Sequence, residues 1–237
     1  MSQGRVKLER LHEGKVFLLT MQSGENRFTP SFLAELNRAL DVVEQSTTAA
    51  ALITTGHDRF YSNGVDLEWA KDHPAEAPAL SNALQHICAR LLTFPMPTFA
   101  AINGHCFAGG LMLAFAHDYR LMREDRGWMC LPAIDLHLHL PQGLLSLVST
   151  KLSRPSITRD VVLTGKRYTA QEARQMDMID WYGPLRDLLP TTLEWAETMA
   201  EKAPDRAAWH ATKKGLYSSC FALLNEGGNI QGLSAKL

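Results

Sequence analysis

The sequence predicts an α/β layered fold built from βαβ units, and three observations carry that expectation. Short apolar runs free of charge, such as Ala50-Ala51-Leu52-Ile53-Thr54-Thr55, alternate with longer amphipathic runs, as strands covered on both faces alternate with helices. Glycine turns at Gly64 and at Gly109-Gly110 each follow a buried strand and open a helix. From Pro155 to Leu224 the pattern is almost wholly helical, broken at Gly165, Gly183-Pro184 and Pro204. With 237 residues, 46% of them hydrophobic, the chain suits one domain, or one with an appendage, and an ample core.

The elements follow in order. Val6–Leu11 and Lys15–Met21 read as two strands joined by a turn at Gly14, the first alternating and the second mostly apolar. Thr29-Pro30-Ser31 opens a helix, with Thr29 as the cap and Pro30 at a position where no donor is wasted. Phe32, Leu36, Leu40 and Val43 recur on its inward face. A strand ends at Gly56, and a long amphipathic helix covers about Leu80–Thr93, stopping before Pro95 and Pro97. Thr98–Ile102 is a strand leading into the Gly109-Gly110 helix, and Tyr119–Arg123 returns as another.

Composition removes several function classes. A formal net charge of −1 argues against a sequence-independent nucleic-acid binder, which needs a concentrated basic footprint. No apolar run approaches the roughly 18 residues of a membrane span, and Met1-Ser2-Gln3-Gly4-Arg5 lacks a secretory stretch. Cys88, Cys106, Cys130 and Cys220 are scattered without CxxC spacing and are expected to be reduced thiols of an intracellular compartment. No P-loop, GxGxxG fingerprint or Ser-His-Asp order is present, so nucleotide hydrolysis, NAD chemistry and hydrolase-type nucleophilic catalysis lack support.

The two glycine turns carry the chemistry. They occur within Phe60-Tyr61-Ser62-Asn63-Gly64-Val65-Asp66-Leu67 and Asn103-Gly104-His105-Cys106-Phe107-Ala108-Gly109-Gly110. Each presents a helix N-terminus whose first backbone N–H groups lack intrahelical partners. Two such ends converging on one point hold an oxyanion between two donors, beside a positive helix dipole.

These motifs, with Leu163-Thr164-Gly165-Lys166-Arg167-Tyr168-Thr169-Ala170-Gln171-Glu172-Ala173 downstream, resemble the crotonase (enoyl-CoA hydratase/isomerase) superfamily over about Val16–Asp180. Ser62-Asn63-Gly64-Val65-Asp66-Leu67 and His117-Asp118-Tyr119-Arg120 look most like its peroxisomal Δ3,Δ2-enoyl-CoA isomerases. The resemblance implies a ββα spiral core, residues 1–180, and a helical C-terminal trimerisation region, residues 181–237. It implies an acyl-CoA substrate, a homotrimer or hexamer, and no cofactor or metal beyond the coenzyme A that the substrate carries. The backbone N–H groups of Val65 and Gly109 become the donors to the thioester oxygen, with Gly109 lacking a Cβ so that the carbonyl approaches closely. Asn26-Arg27-Phe28 matches the loop that cups coenzyme A, with Arg27 either paired to a phosphate or simply solvated. Ser62, Asn63, Gly64, Asp66 and Met112 complete the expected substrate surroundings, Asp66 as a helix cap rather than a catalyst.

The acid–base groups depart from the family pattern. Where hydratases carry their first glutamate this chain has Met112, and the second aligns with Ala133. Met112 argues against hydration and fits isomerisation, in which a single base moves one proton from C2 to C4 of a 3-enoyl-CoA. Ala133 removes that base. Asp135, His137 and His139 are the candidates to replace it, each sharing a face with Ala133 if the segment is extended. His105 is expected to be a packed neighbour. Three functions stay open: a Δ3,Δ2-isomerase, a non-catalytic acyl-CoA binder, and a changed reaction such as thioester hydrolysis or C–C cleavage with a histidine base. Ala235-Lys236-Leu237 resembles the address read by the peroxisomal import receptor, which places the chain in the peroxisome matrix in a eukaryote and in the cytoplasm otherwise.

Overall fold

The computed structural model describes residues 5–48 and 50–231; Ala235, Lys236 and Leu237 lie outside them. Strand β1 (Val6–Leu11) pairs antiparallel with β2 (Val16–Met21), and β3 (Arg27–Phe28) and helix α1 (Pro30–Gln45) follow. Next come β4 (Ala51–Thr55), β5 (Phe60–Ser62), β6 (Gly64–Val65), α2 (Leu67–Asp72) and α3 (Ala77–Leu92). The middle of the chain holds β7 (Thr98–Ile102), β8 (His105–Phe107), α4 (Gly109–Phe115), β9 (Tyr119–Arg123), β10 (Met129–Cys130) and α5 (Gln142–Lys151). The last stretch holds α6 (Pro155–Leu163), α7 (Ala170–Gln175), β11 (Trp181–Gly183), α8 (Leu185–Lys202), α9 (Arg206–Leu216) and α10 (Ser218–Glu226).

The architecture is a repeated turn of the chain. Three times in succession, a strand of the main sheet (β4, β7, β9) leads to a short strand of a second sheet (β5, β8, β10) and then to helix. The main sheet runs β1-β2-β4-β7-β9-β11, parallel from β2 onward, and the second runs β10-β8-β5. β3 and β6 form a separate parallel pair.

Side chains alternate across the main sheet and so feed two cores. Phe17, Leu19, Leu52, Ala100 and Met122 face the core shared with α1, α3, α4 and α5, while Val16, Leu18, Ile53, Phe99 and Leu121 face α8. This double cover explains the charge-free strands. Thr29 caps α1 as expected, its hydroxyl accepting from Phe32 N–H at 3.3 Å, and Phe32, Leu36, Leu40 and Val43 are buried. The helical run expected from Pro155 is interrupted by β11, which extends the sheet parallel to β9. Among the described residues no helix is long and apolar enough to cross a membrane.

Candidate active site

The site begins with a fastened loop. Asn26 adopts a left-handed backbone (φ 51°), and its buried carboxamide N–H groups donate to the carbonyls of Met21, Phe60 and Tyr61 at 3.1–3.2 Å. Its carbonyl oxygen accepts from Ser23 N–H at 2.8 Å. Ser62 Oγ donates to Asn26 O at 2.7 Å and accepts from Gly64 N–H at 3.0 Å. Glu25 joins the next residues, accepting from Asn63 Nδ2 and from Arg27 Nε at 2.8 Å each. The Asn63 donor, followed by Arg27, holds the Glu25 carboxyl below its ordinary range.

This web fixes the pairing of β3 with β6. Asp66 N–H donates to Phe28 O at 3.0 Å, so the N–H of Val65, one residue earlier on an extended strand, points to the opposite edge. Opposite it, Ala108 sits at φ 49° and ψ −117°, a conformation that costs a non-glycine residue about 1–3 kcal/mol and that clusters at functional sites. Ala108 N–H is held by Cys130 O at 2.9 Å, and Gly109 starts α4 with its own N–H lacking an intrahelical partner. The two turns interlock closely. A Cβ on Gly64, whose φ is +78°, would lie 2.5 Å from Gly109 N. Val65 and Gly109 both line one cavity.

The cavity measures about 210 Å³ and is almost entirely apolar. Met112, Leu131 and Ala133 line it beside Val65, Ala108 and Gly109, and Leu84, Leu138, Leu140, Leu144 and Ile230 extend the apolar wall. Among the described residues Arg27 is the one charged member of the lining, accompanied by Asn63. No carboxylate or imidazole borders the cavity among the described residues.

Several expected site residues belong to the scaffold instead. Asn26 and Ser62 are spent on the bonds above, Phe28 is buried against Phe32, and Asp66, as expected, caps α2 by accepting from Trp69 N–H at 3.0 Å. None of them borders the cavity. Gly64 acts as the contact point between the two turns. The absent Cβ of Gly109 serves packing, since one placed there would lie 3.1–3.3 Å from Leu84, Gly64 and Phe28.

The replacement bases are corrected as well. Pro132–His137 is not extended but turned: Leu136 N–H donates to Pro132 O, His137 N–H to Ile134 O and Leu138 N–H to Ala133 O, at 2.8–3.1 Å. Ala133 faces the cavity, 7% exposed, yet the turn carries His137 to the outside. The His137 backbone is left-handed (φ 54°), its ring rests 3.3 Å from Ile134 O, and the side chain is exposed. His139 is exposed and meets Gln231, while Asp135 lies against the Gly165 backbone. A histidine base at this site therefore has no geometry to support it.

His105 is packed as expected, its ring about equally close to those of Phe60, Phe107 and Trp128, at 5.1–5.2 Å. Sequence reasoning missed Leu84, Leu144 and Ile230, which reach the cavity from distant elements. It also missed the backbone of Ala108, which an alanine side chain gives no reason to suspect. No cluster of three metal-ligating side chains occurs among the described residues.

A sequence model of the family described as enoyl-CoA hydratase/isomerase matches residues 12–218. Among curated proteins, enoyl-CoA delta isomerase 2, peroxisomal, of Arabidopsis thaliana is 34% identical, over 89% of this chain and 92% of that one. Enoyl-CoA delta isomerase 3 of the same plant is 35% identical, over 86% and 89%. Among solved structures, human mitochondrial delta3-delta2-enoyl-CoA isomerase superposes with a TM-score of 0.84 at 24% identity, over 92% and 85%. A probable enoyl-CoA hydratase of Mycobacterium tuberculosis superposes at 0.86 with 22% identity, over 94% and 93%. At those identities the two structures speak to the fold.

Proposed function

Because the chain belongs to the enoyl-CoA hydratase/isomerase family, we propose that it is an enoyl-CoA isomerase of fatty-acid oxidation, moving a 3-enoyl-CoA double bond into conjugation. The observation that carries this reading is that Val65, Gly109 and Met112 line one apolar cavity, Met112 being the residue that the family resemblance aligns with a hydratase's first glutamate. The two N–H groups receive the thioester oxygen. With no side-chain base among the described residues of the lining, a water molecule that reaches C2 takes its proton, negative charge moves onto the thioester oxygen, and fixed donors stabilise it without reorganising. The hydronium so formed returns a proton at C4, which completes the shift. No cofactor beyond the coenzyme A of the substrate enters the scheme. Arg27, at the cavity and already positioned by Glu25, is assigned to the anionic part of that substrate. A homotrimer or a pair of trimers is the assembly proposed, and the compartment is the peroxisome matrix if the source is eukaryotic and the cytoplasm otherwise, the name of Arabidopsis enoyl-CoA delta isomerase 2, peroxisomal, supporting the former.

The cavity lining favours a second reading, acyl-CoA binding without turnover, because no side chain there carries a proton to or from carbon. One experiment separates the two. Conversion of 3-enoyl-CoA to 2-enoyl-CoA is followed by absorbance for the native chain and for Ala133→Glu. A positioned general base is worth about 100- to 10,000-fold, so the variant is expected to gain on that scale over a slow native enzyme. Turnover in the variant alone assigns the native chain to binding. Turnover in neither, with both folded, refutes the isomerase site.

A further inference from the structure

The cavity wall contains one residue from far along the chain. After α10 the backbone reverses through Gly227 (φ 75°) and Gly228 (φ 138°), and the strap that follows delivers Ile230, 5% exposed, to the cavity beside Leu84, Leu140 and Leu144. The strap is tied on both sides of that side chain. On one side, Gly228 N–H donates to Asn82 Oδ1 at 2.9 Å, and Gly228 O accepts from Ser81 Oγ and from Gln85 Nε2 at 2.8 Å each. On the other, Gln231 and His139 exchange both backbone hydrogen bonds at 3.0 Å. Ser81, Asn82 and Gln85 all belong to α3, whose Leu84 borders the cavity as well.

Two consequences follow from this arrangement. Ile230 is held in register by hydrogen bonds at its flanks, so its position does not depend on what fills the cavity. The space, about 210 Å³, is smaller than the roughly 300–1,000 Å³ of ordinary small-molecule pockets. We propose that Ile230 is the residue that limits acyl chain length, the strap making a short fatty acyl group the preferred occupant. Resting on the acyl-CoA reading above, the inference adds a selectivity that the family assignment does not contain.

The test uses saturated acyl-CoAs, which do not react, so that binding is read apart from turnover. Dissociation constants for the series from butanoyl- to hexadecanoyl-CoA are measured by calorimetry for the native chain, Ile230→Ala and Ile230→Phe, each checked for a cooperative thermal transition. The native chain is expected to prefer the short members. Ile230→Ala opens the wall and moves the optimum to longer chains, with about a fourfold gain in affinity for each further methylene buried. Ile230→Phe moves it the opposite way, which keeps the test decisive if the alanine variant unfolds. Acyl-CoA binding with an unmoved chain-length profile in the folded variants overturns the role of Ile230 and leaves the acyl-CoA reading intact. Failure of every acyl-CoA to bind the native chain overturns both.

Discussion

Gly64→Ala is the substitution that most directly tests how the site is built. Gly64 has φ +78°, a conformation that costs an alanine about 1–2 kcal/mol through contact of its Cβ with the following carbonyl. The added methyl also lies 2.5 Å from Gly109 N, 3.0 Å from Phe107 O and 3.0 Å from Ala108 Cβ. Two of those atoms are main chain and the third is a Cβ, so no side chain can swing away. Overpacking of this kind costs about 1–3 kcal/mol, which makes the expected loss about 2–5 kcal/mol. Restoring 3.4 Å between the methyl and Gly109 N requires the two turns to separate by about 0.9 Å, and a displacement near 1 Å at a reacting site costs about 100-fold.

Stability is read by urea denaturation and the site by isomerase turnover in the Ala133→Glu background, where the largest signal is expected. Gly215→Ala serves as the control. Gly215 lies in α9 with no atom within 4 Å of a Cβ placed there, so that change is expected to be neutral or to stabilise by up to about 1 kcal/mol. The reasoning fails if Gly64→Ala leaves both the urea midpoint and the turnover within error of the parent.

Two further predictions concern the buried polar groups behind the site. Lys213 Nζ donates to Asp118 Oδ1 at 2.8 Å, and both side chains are nearly buried, so Lys213→Met leaves the carboxylate its Thr98 donors but not its cation and should cost about 3–5 kcal/mol by urea denaturation. A far smaller loss in Lys213→Met combined with Asp118→Asn is expected; equal losses would show that the pair is not the cause. His117 donates from Nδ1 to Leu113 O at 2.8 Å, so its Nε2 accepts from Thr54 Oγ1 at 2.9 Å, and burial pushes the ring down to about 3. The unfolded chain takes up that proton near the ordinary value of about 6.5, so this stabilisation is complete above pH 6.5 and is lost as pH falls toward 3, by up to about 4 kcal/mol. His117→Gln should lose less stability between pH 7 and pH 4 than the native chain does, and an identical decline in both would remove His117 as the source.

The parts of the fold that the sequence disclosed are those in which one local rule acts alone. Charge-free strands under two helical layers, the Thr29-Pro30 cap and the two glycine turns each leave a mark within a few residues. Where the sequence misled, two structures share a pattern. Leu136-His137-Leu138-His139-Leu140 alternates like a strand, yet hydrogen bonds from Leu136, His137 and Leu138 back to Pro132, Ile134 and Ala133 curl its start, and both histidines turn outward. Asn26 resembles a ligand-contacting amide, but an asparagine also tolerates left-handed backbone, and here its carboxamide is consumed in tying two loops together. β11 is three residues long, too short for any periodicity to mark. Ile230 reaches the cavity through tertiary contacts alone, and nothing in its neighbourhood distinguishes it from another buried isoleucine.

On the proposed reading, a physical separation of scaffold from chemistry lets the two turns keep their shape with alanine at position 133. The turn bearing Ala133 is shaped by backbone bonds, Leu136 N–H to Pro132 O and Leu138 N–H to Ala133 O, neither of which involves the side chain at 133. The two donor turns are likewise shaped by Asn26, Ser62, Gly64 and the Ala108 backbone, all on other segments. The side chain at 133 is therefore free to differ without cost to the fold, and alanine spares the cavity the cost of desolvating a charge among apolar side chains. The same independence gives Ala133→Glu its meaning. A carboxyl introduced there alters the proton chemistry and the local polarity of the cavity, while the groups that position Val65 and Gly109 stay as they are. A rate gained in that variant consequently reports on donors already in place in the native chain.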